Sequence, residues 1–462
     1  MNDKKQMTRL AGVILLSCLG LTGCFREGRP PNVLMVVVDT LRADHVGSYA
    51  DVDLTPNLDA FARDSIVFLD ASSTAPNTIN SAPSILTSTY PSEHQFTNYR
   101  VAISPQHQTL AEILAANGYQ TFAVSANPHV TARNGLAQGF ETFLDHPTWT
   151  DTGAGAINQL FFDWLDSTQP QTPFFALLWC VDPHTPYEPP ADILDAILDD
   201  DQRALVSERT IRPGSHDLSA EEREVSRLLY EGEVRSFDRQ FGLLMEELRH
   251  RSLLEDTIIV FTSDHGESFW EHTDMSGRSL VGHGVSLFRT EIAVPLMIRF
   301  PGSPSGRAIS APVSTVDIVP TVLAALDIEV RNDFFQGHDL MPLSGDESDG
   351  DPDRRIVSEL YTDFNGTVNF RMESVRSGAQ KLVVTHSYRG RVVEPPLVQL
   401  FDTDDREIGA GDSPQLTTAR ENLLAYLRDW RESLFPLPAV AVGAFDREDE
   451  LIERLRALGY LR

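Results

Sequence analysis

Three stretches of the chain are apolar without interruption, save for the threonine that opens the third: Val33–Val38, Phe174–Trp179 and Thr257–Phe261. A strand with one wet face alternates apolar and polar residues. An unbroken, β-branched run instead predicts a strand buried on both faces, as in a parallel sheet covered by helices. Helical signals lie between these runs. Thr55-Pro56 sets an N-cap before a proline at the first helical position. Ser219-x-x-Glu222 forms a capping box that opens a long amphipathic helix, with Val225, Leu228, Leu229, Val234, Phe237, Phe241, Leu244 and Leu248 at helical spacing. Strands alternating with helices predict an α/β layered fold.

The acidic segment Ser344–Asp353 reads as a linker. Beyond it, Arg355–Tyr361, Ser374–His386 and Val398–Asp402 carry strand-like patches at hairpin distances, which predicts a smaller C-terminal antiparallel subdomain. Leu416–Trp430 and Glu448–Leu461 read as helices, and no internal repeat is present. The expected organisation is a signal peptide at 1–23, a tether at 24–31, a catalytic domain at 32–345, an α+β subdomain at 354–435 and a tail with a helix at 436–462.

The amino-terminal pattern differs from the rest. Lys4, Lys5 and Arg9 precede the apolar run Leu10–Leu21, which is shorter than the roughly 20 residues that span a bilayer and fits a secretory h-region. It ends in Leu21-Thr22-Gly23-Cys24, which resembles a bacterial lipobox and makes Cys24 the expected lipidation site. A diacylglycerol thioether with an N-acyl chain supplies the several chains that stable anchoring requires. Phe25 rather than Asp follows, so the expectation is an envelope protein anchored in the outer membrane. Cys18 would leave with the signal and Cys24 would carry the lipid, leaving Cys180 as a thiol without a partner for a disulfide.

With 38 basic and 67 acidic residues the formal charge is −29, which argues against nucleic acid as a partner because an acidic surface repels polyanions. Lysine occurs only at Lys4, Lys5 and Lys381.

The candidate chemistry lies where two of the buried runs end. Val36-Val37-Val38 is followed by Asp39, and Val260-Phe261-Thr262-Ser263 by Asp264-His265-Gly266. Ligands in open α/β sheets bind beyond the carboxyl ends of strands. Two such strands delivering Asp39, Asp264 and His265 to one edge would form a divalent-metal site. A single Asp after a strand is often only a helix cap, so the pairing carries the argument.

The segments NVLMVVVDTLRADHVGSY (Asn32–Tyr49), FFALLWCVDPHTPYEPP (Phe174–Pro190), TSDHGE (Thr262–Glu267), VPLMIRFPG (Val294–Gly302) and VSTVDIVPTV (Val313–Val322), with the ending LRALGY (Leu455–Tyr460), resemble sulfatases of the alkaline phosphatase superfamily, in the family's order. The resemblance implies an alkaline-phosphatase-like, mostly parallel central sheet flanked by helices. It also implies metal ligation by Asp39, Asp264 and His265. The family's nucleophile motif, Cys-x-Pro-Ser-Arg, is represented by Thr78-Ile79-Asn80-Ser81-Ala82, so Thr78 takes the nucleophile position and would also be a metal ligand. No residue there can become formylglycine. Thr40 stands where the family has a second metal Asp.

Two lysines commonly flank the sulfate in this family. Lys381 falls in a predicted C-terminal strand, so neither can be present, and His283 in Gly282-His283-Gly284 stands where one would be. The Asp-His-Gly-Glu-Ser and His-Gly motifs also resemble the phosphoethanolamine and phosphoglycerol transferases of the superfamily, which use a Thr nucleophile. By resemblance His184 is a catalytic, substrate-binding histidine, and His283 protonates the leaving group or holds a second metal. Asn127 and His129 fall near the family's Lys-Trp-His position and are candidate substrate contacts. Arg42 could pair with a substrate oxyanion, although an arginine in such a turn more often holds a neighbouring carboxylate.

Oxygen donors suit calcium, while the imidazole of His265 shifts the expectation toward manganese or zinc. A second metal near Asp182, His184 and His283 is the alternative arrangement. Three functions follow: a metal-dependent hydrolase of a small-molecule or glycan sulfate or phosphate ester, a phospho-alcohol transferase on envelope components, and an inactive binding protein on the same scaffold. A Thr nucleophile favours phosphate, because a sulfated threonine lacks the second hydroxyl through which a formylglycine hydrate expels sulfate.

Overall fold

The computed structural model describes residues 29–145, 153–208, 218–302, 306–330, 335–344, 350–364, 367–409, 413–442 and 452. The expected signal peptide, Cys24 and, apart from Ile452, the terminal helix Glu448–Leu461 lie outside them. Among the described residues no helix is long and apolar enough to cross a membrane.

The three apolar runs form neighbouring strands, Thr257–Ser263, Asn32–Val38 and Phe174–Cys180, at the centre of an eight-stranded sheet. Gln120–Ser125 and then Thr142–Asp145 extend it on one side, and Leu296–Arg299, Ile66–Phe68 and Arg307–Ile309 on the other. All paired neighbours are parallel except Leu296–Arg299, which runs against both of its neighbours. Alternation explains why these runs are apolar at successive positions, Thr257 at the start of one apart. Leu34, Val36 and Val38 face a core built with Phe237, Phe241 and Leu244 of helix Ala220–His250. Val33, Met35 and Val37 face a second core with Ile85, Leu86, Val319 and Val322. Full burial of each aliphatic side chain contributes about 1.5–3 kcal/mol, so both faces must be apolar.

Register decides where the chemistry emerges. Val38 lies opposite both Cys180 and Ser263, and Ser125 lies opposite Trp179. The residues that follow, Asp39, Asp264, Val181 and Ala126, therefore leave the sheet together at one edge. The parallel direction of these strands makes that edge the carboxyl end of each.

The C-terminal sheet has four antiparallel strands, Ile356–Phe364, Thr367–Ser377, Gln380–Tyr388 and Arg391–Phe401, in sequence order. The expected single patch Ser374–His386 is two strands, because Gly378 at φ 53° turns the chain. Helix Pro414–Ser433 covers one face, with Leu423, Leu427 and Trp430 on Val375, Leu382, Val384 and Leu400. Lys381 is buried and ion-pairs with Asp405, donating also to the Leu287 carbonyl at 2.8 Å, so it is a structural cation. The first strand grips the segment leading into helix Thr78–Thr87. Ser358 Oγ donates to the Ser73 carbonyl (2.7 Å), Glu359 N–H to the Thr74 carbonyl (2.7 Å), and Asn80 exchanges two hydrogen bonds with the Tyr361 backbone (2.9 and 3.0 Å).

One local expectation changes. The helix Pro56–Ala62 starts at Pro56, but the Thr55 hydroxyl accepts from Gly47 N–H (2.9 Å) instead of capping it. Asp238, on the long helix, takes the cap by accepting from Asn57 N–H (3.1 Å) and Leu58 N–H (2.8 Å). Removal of this buried acceptor orphans both donors, so Asp238→Ala should lower unfolding free energy by about 2 kcal/mol in urea titrations. Thr55→Val should not remove the cap and should cost less.

Candidate active site

Asp39 and Asp264 follow the two central strand ends, and both are fully buried. Asp264 Oδ1 accepts from the N–H groups of Thr40 (3.3 Å) and His265 (2.9 Å). Its other oxygen is buried with no hydrogen bond of normal geometry and lies 3.5 Å from His265 Nε2, which is also 3.5 Å from Asp39 Oδ1. His265 Nδ1 is 2.9 Å from the Gly266 carbonyl, which can only accept, so the proton sits on Nδ1 and Nε2 presents a lone pair. Burial, aided by His283 and His184, holds this imidazole well below its usual pKa and hence neutral. Burial also pushes the Asp264 carboxyl upward, against the hydrogen bonds it accepts. Gly266 is required here, because a Cβ would lie 2.2 Å from the Thr290 carbonyl.

Asp39, Asp264 and His265 form the one group, among the described residues, whose His, Cys and carboxylate ligand atoms all lie within 4.8 Å of one another. Lone pairs from one neutral imidazole and two carboxylates converge on this space. That arrangement repels itself unless a proton or a cation lies within it. The residues therefore fit a divalent cation. The alternative of a second cation near Asp182, His184 and His283 has no converging ligand set among the described residues, and one Asp182 oxygen accepts from Ala154 N–H (2.7 Å) at the start of helix Ala154–Thr168.

Thr78 begins the buried helix Thr78–Thr87, whose N-cap Asn77 accepts from Asn80 N–H (2.9 Å). The Thr78 hydroxyl lies 3.3 Å from His265 Nε2. Asn127 Nδ2 donates both to this hydroxyl (3.3 Å) and to Asp39 Oδ2 (2.6 Å), tying the helix to the strand end. The structure thus brings Thr78, Asp39, Asp264, His265 and Asn127 together.

Three histidines surround this cluster in different states. His184 Nδ1 donates to the Thr185 carbonyl (2.6 Å), and burial, with the charges of His283 and His129, keeps the ring neutral. Burial acts to lower His283 as well, but the Glu267 carboxylate at 3.3 Å, with Asp39 and Glu291, pushes it up to about 9. Its ring centroid lies 4.5 Å from that of His265 and 5.0 Å from that of His184. His129 is buried, its N–H bonded to Asn127 Oδ1 (2.7 Å).

Arg42 departs from the expected substrate contact. Its guanidinium is committed to Asp44 (2.8 and 2.7 Å), Glu271 (2.5 Å) and the Glu267 carbonyl (3.0 Å). It braces carboxylates and the backbone of Glu267, which in turn holds His283. Glu267 is a site residue to which sequence reasoning gave no role, although it stands inside the Asp-His-Gly-Glu motif. Thr40 is a further signal: a β-branched, fully buried residue at φ 58° whose backbone is fixed by Asp264 and, through its carbonyl, by the Tyr230 hydroxyl (2.9 Å). Such a conformation is unusual and marks a constrained site. Beside the site, a cavity of about 540 Å³ separates the hairpin after Glu267 from the C-terminal sheet, with His272, Phe288, Tyr388 and Glu407 among its walls.

The sulfatase family model matches residues 31–328 of this chain. The ulvan-active sulfatase of Formosa agariphila is 26% identical over 371 residues, covering 74% of this chain and 70% of that protein. The endo-4-O-sulfatase of Bacteroides thetaiotaomicron is 24% identical over 385 residues, covering 70% and 74%. The phosphonate monoester hydrolase of Agrobacterium radiobacter superposes with a TM-score of 0.71 at 20% identity, over 87% of this chain and 96% of that one, a likeness of fold. With the match to the family model spanning well over half its length, the chain belongs to the sulfatase family of the alkaline phosphatase superfamily.

Proposed function

We propose that this protein is a metal-dependent hydrolase of phosphate mono- or diesters that uses Thr78 as its nucleophile. The observation that carries this reading is the Thr78 hydroxyl, 3.3 Å from the unprotonated nitrogen of His265 and bonded through Asn127 to Asp39. The nucleophile position thereby shares its space with the cation donors. Asp39, Asp264, His265 and Thr78 would hold the ion. Bound there, a divalent cation supplies Lewis acidity, which eases ionisation of a hydroxyl and offsets charge on the ester oxygens. One imidazole among oxygen donors favours manganese or zinc over calcium.

The chain's own residues account for the rest. Asn127 fixes the direction of Thr78 Oγ1, and Thr78 stands at the amino end of helix Thr78–Thr87, where the helix dipole favours negative charge. Thr78 releases its hydroxyl proton to solvent, and Oγ1 bonds to phosphorus as the bond to the departing alcohol oxygen breaks. His283, protonated through its pair with Glu267, gives its proton to that oxygen. A water then attacks the phosphothreonine: one of its protons restores His283, its O–H leaves on the released phosphate, and the freed Thr78 oxygen takes a proton back from solvent. A threonine sulfate has no such easy exit, which favours phosphorus over sulfur.

The test offers 4-nitrophenyl phosphate, bis(4-nitrophenyl) phosphate and 4-nitrophenyl sulfate to purified protein with manganese, zinc and calcium in turn. Phosphate turnover should exceed sulfate turnover, and Thr78→Val should reduce it by about a thousandfold or more. Quenched reactions should carry a phosphoryl group on the peptide containing Thr78. No turnover with any ester and metal would leave a binding protein.

Metal affinity should rise with pH. Burial stabilises the protonated Asp264 carboxyl, and the cation must displace that proton, so binding weakens as the medium becomes more acidic. Calorimetry with manganese in two buffers of different ionisation heat should detect proton release at slightly acidic pH, and Asp264→Asn should abolish it.

We also propose that Cys24 anchors the protein in the cell envelope, on the outer membrane. Labelled palmitate should be incorporated into the expressed protein and lost in Cys24→Ala; equal labelling of the two would refute the anchor.

A further inference from the structure

We infer that Glu291 is a positioning residue that holds His283 against the cation site, an inference that rests on the proposed role of His283 as proton donor to the leaving group. Glu291 lies on the short helix Arg289–Ile292, is fully buried, and contacts neither Thr78 nor the cation donors through any recorded hydrogen bond. It nevertheless joins both chain segments that carry the site. On one side its carbonyl accepts from Gly266 N–H (2.8 Å), next to His265, and Oε1 accepts from Ser268 Oγ (3.1 Å), next to Glu267. On the other side Oε1 accepts from Ser286 Oγ (2.5 Å), and Oε2 from Val285 N–H (3.2 Å) and Ser286 N–H (3.3 Å).

The geometry between these two sides explains the need. The chain leaves Glu267 into the hairpin Ser268–Thr273 and Ser279–Gly282 and returns at His283. His283 sits between Gly282 at φ 89° and Gly284 at φ 67°, conformations that give the loop little stiffness of its own. Gly284 N–H reaches the Pro76 carbonyl (2.8 Å), so the same loop also touches the segment that leads into Thr78. The Glu291 carboxylate is the buried acceptor that fixes the two peptide N–H groups just beyond this flexible pair. It thereby sets where His283 stands relative to Glu267 and His265.

Glu291→Gln keeps the shape, and its amide can still meet the two serine hydroxyls, but it replaces the charged acceptor of the Val285 and Ser286 N–H groups with a neutral amide oxygen and removes a negative charge near His283, which weakens the hold on the loop. A misplaced proton donor harms poor leaving groups most, because a good one departs without protonation. Phenyl phosphate and 4-nitrophenyl phosphate separate the two cases. Glu291→Gln should slow kcat for phenyl phosphate by about tenfold or more and for 4-nitrophenyl phosphate by less than about threefold, with manganese affinity unchanged. Ser286→Ala, which removes one bond to Oε1, should show the same bias more weakly. His283→Ala is the reference. If His283→Ala slows both substrates equally, the assigned role of His283 fails. If it shows the bias while Glu291→Gln and Ser286→Ala slow both substrates equally or neither, the positioning role is overturned.

Discussion

The structure depends on a lone pair aimed at two carboxylates. His265 is compelled by the Gly266 carbonyl to keep its proton on Nδ1, so Nε2 faces Asp39 and Asp264 at 3.5 Å with nothing to donate. In a low-dielectric interior this is unfavourable by several kcal/mol unless positive charge is supplied. Strand register imposes the arrangement: three parallel strands finish level, and the residues just beyond them have nowhere to go but the same edge. The fold thus creates an electrostatic deficit at one point, and the surrounding residues respond to it. Asn127 donates into it, the start of helix Thr78–Thr87 faces it, and His283 is pushed toward its charged form by Glu267 beside it.

Much of this was legible because burial leaves a plain mark in sequence. Val33–Val38 and Thr257–Phe261 could only be two-sided strands, and acids directly after such strands fall at a carboxyl edge. The short strands Ile66–Phe68 and Leu296–Arg299 left a weaker mark, being three and four residues long and recognisable only once paired. The hairpin Ser268–Thr273 with Ser279–Gly282 escaped notice because its strands mix buried and exposed positions and it lies outside the sheet. The C-terminal strands were located but their turn was not: Val375, Leu382 and Val384 belong to two strands, and Gly378 alone marks the reversal.

Site residues divide along the same line. Asp39, Asp264 and His265 follow from strand ends, whereas Thr78 was identified through family resemblance, since a threonine opening a helix has no chemical mark of its own. Arg42, a candidate oxyanion contact with carboxylate pairing as the commoner alternative, takes the alternative: Asp44, Glu271 and the Glu267 carbonyl arrive from turn and hairpin to occupy it. The cap at Pro56 escaped for the same reason. Asp238 is 181 residues from Asn57, and no local pattern reports a contact at that distance.

The departures from the family's motif form a consistent set. Without the two lysines that commonly flank the ester in this family, fixed positive charge is lost, and the only lysine among the described residues is committed to Asp405. In the proposed reaction the charge that develops in ester cleavage would then be met by what remains: a cation that Asp39, Asp264 and His265 would hold, the Asn127 amide and the imidazolium of His283. The proposed threonine nucleophile would fit this poorer positive field, because departure of an alcohol from phosphorus would need one proton, for which His283 is placed, and water would clear a phosphothreonine without a second hydroxyl on the nucleophile. A sulfate ester attacked by the same threonine would leave a product whose release calls for the group that is missing at position 78. The absent lysines and the threonine at position 78 therefore support the same proposed reading, cleavage at phosphorus.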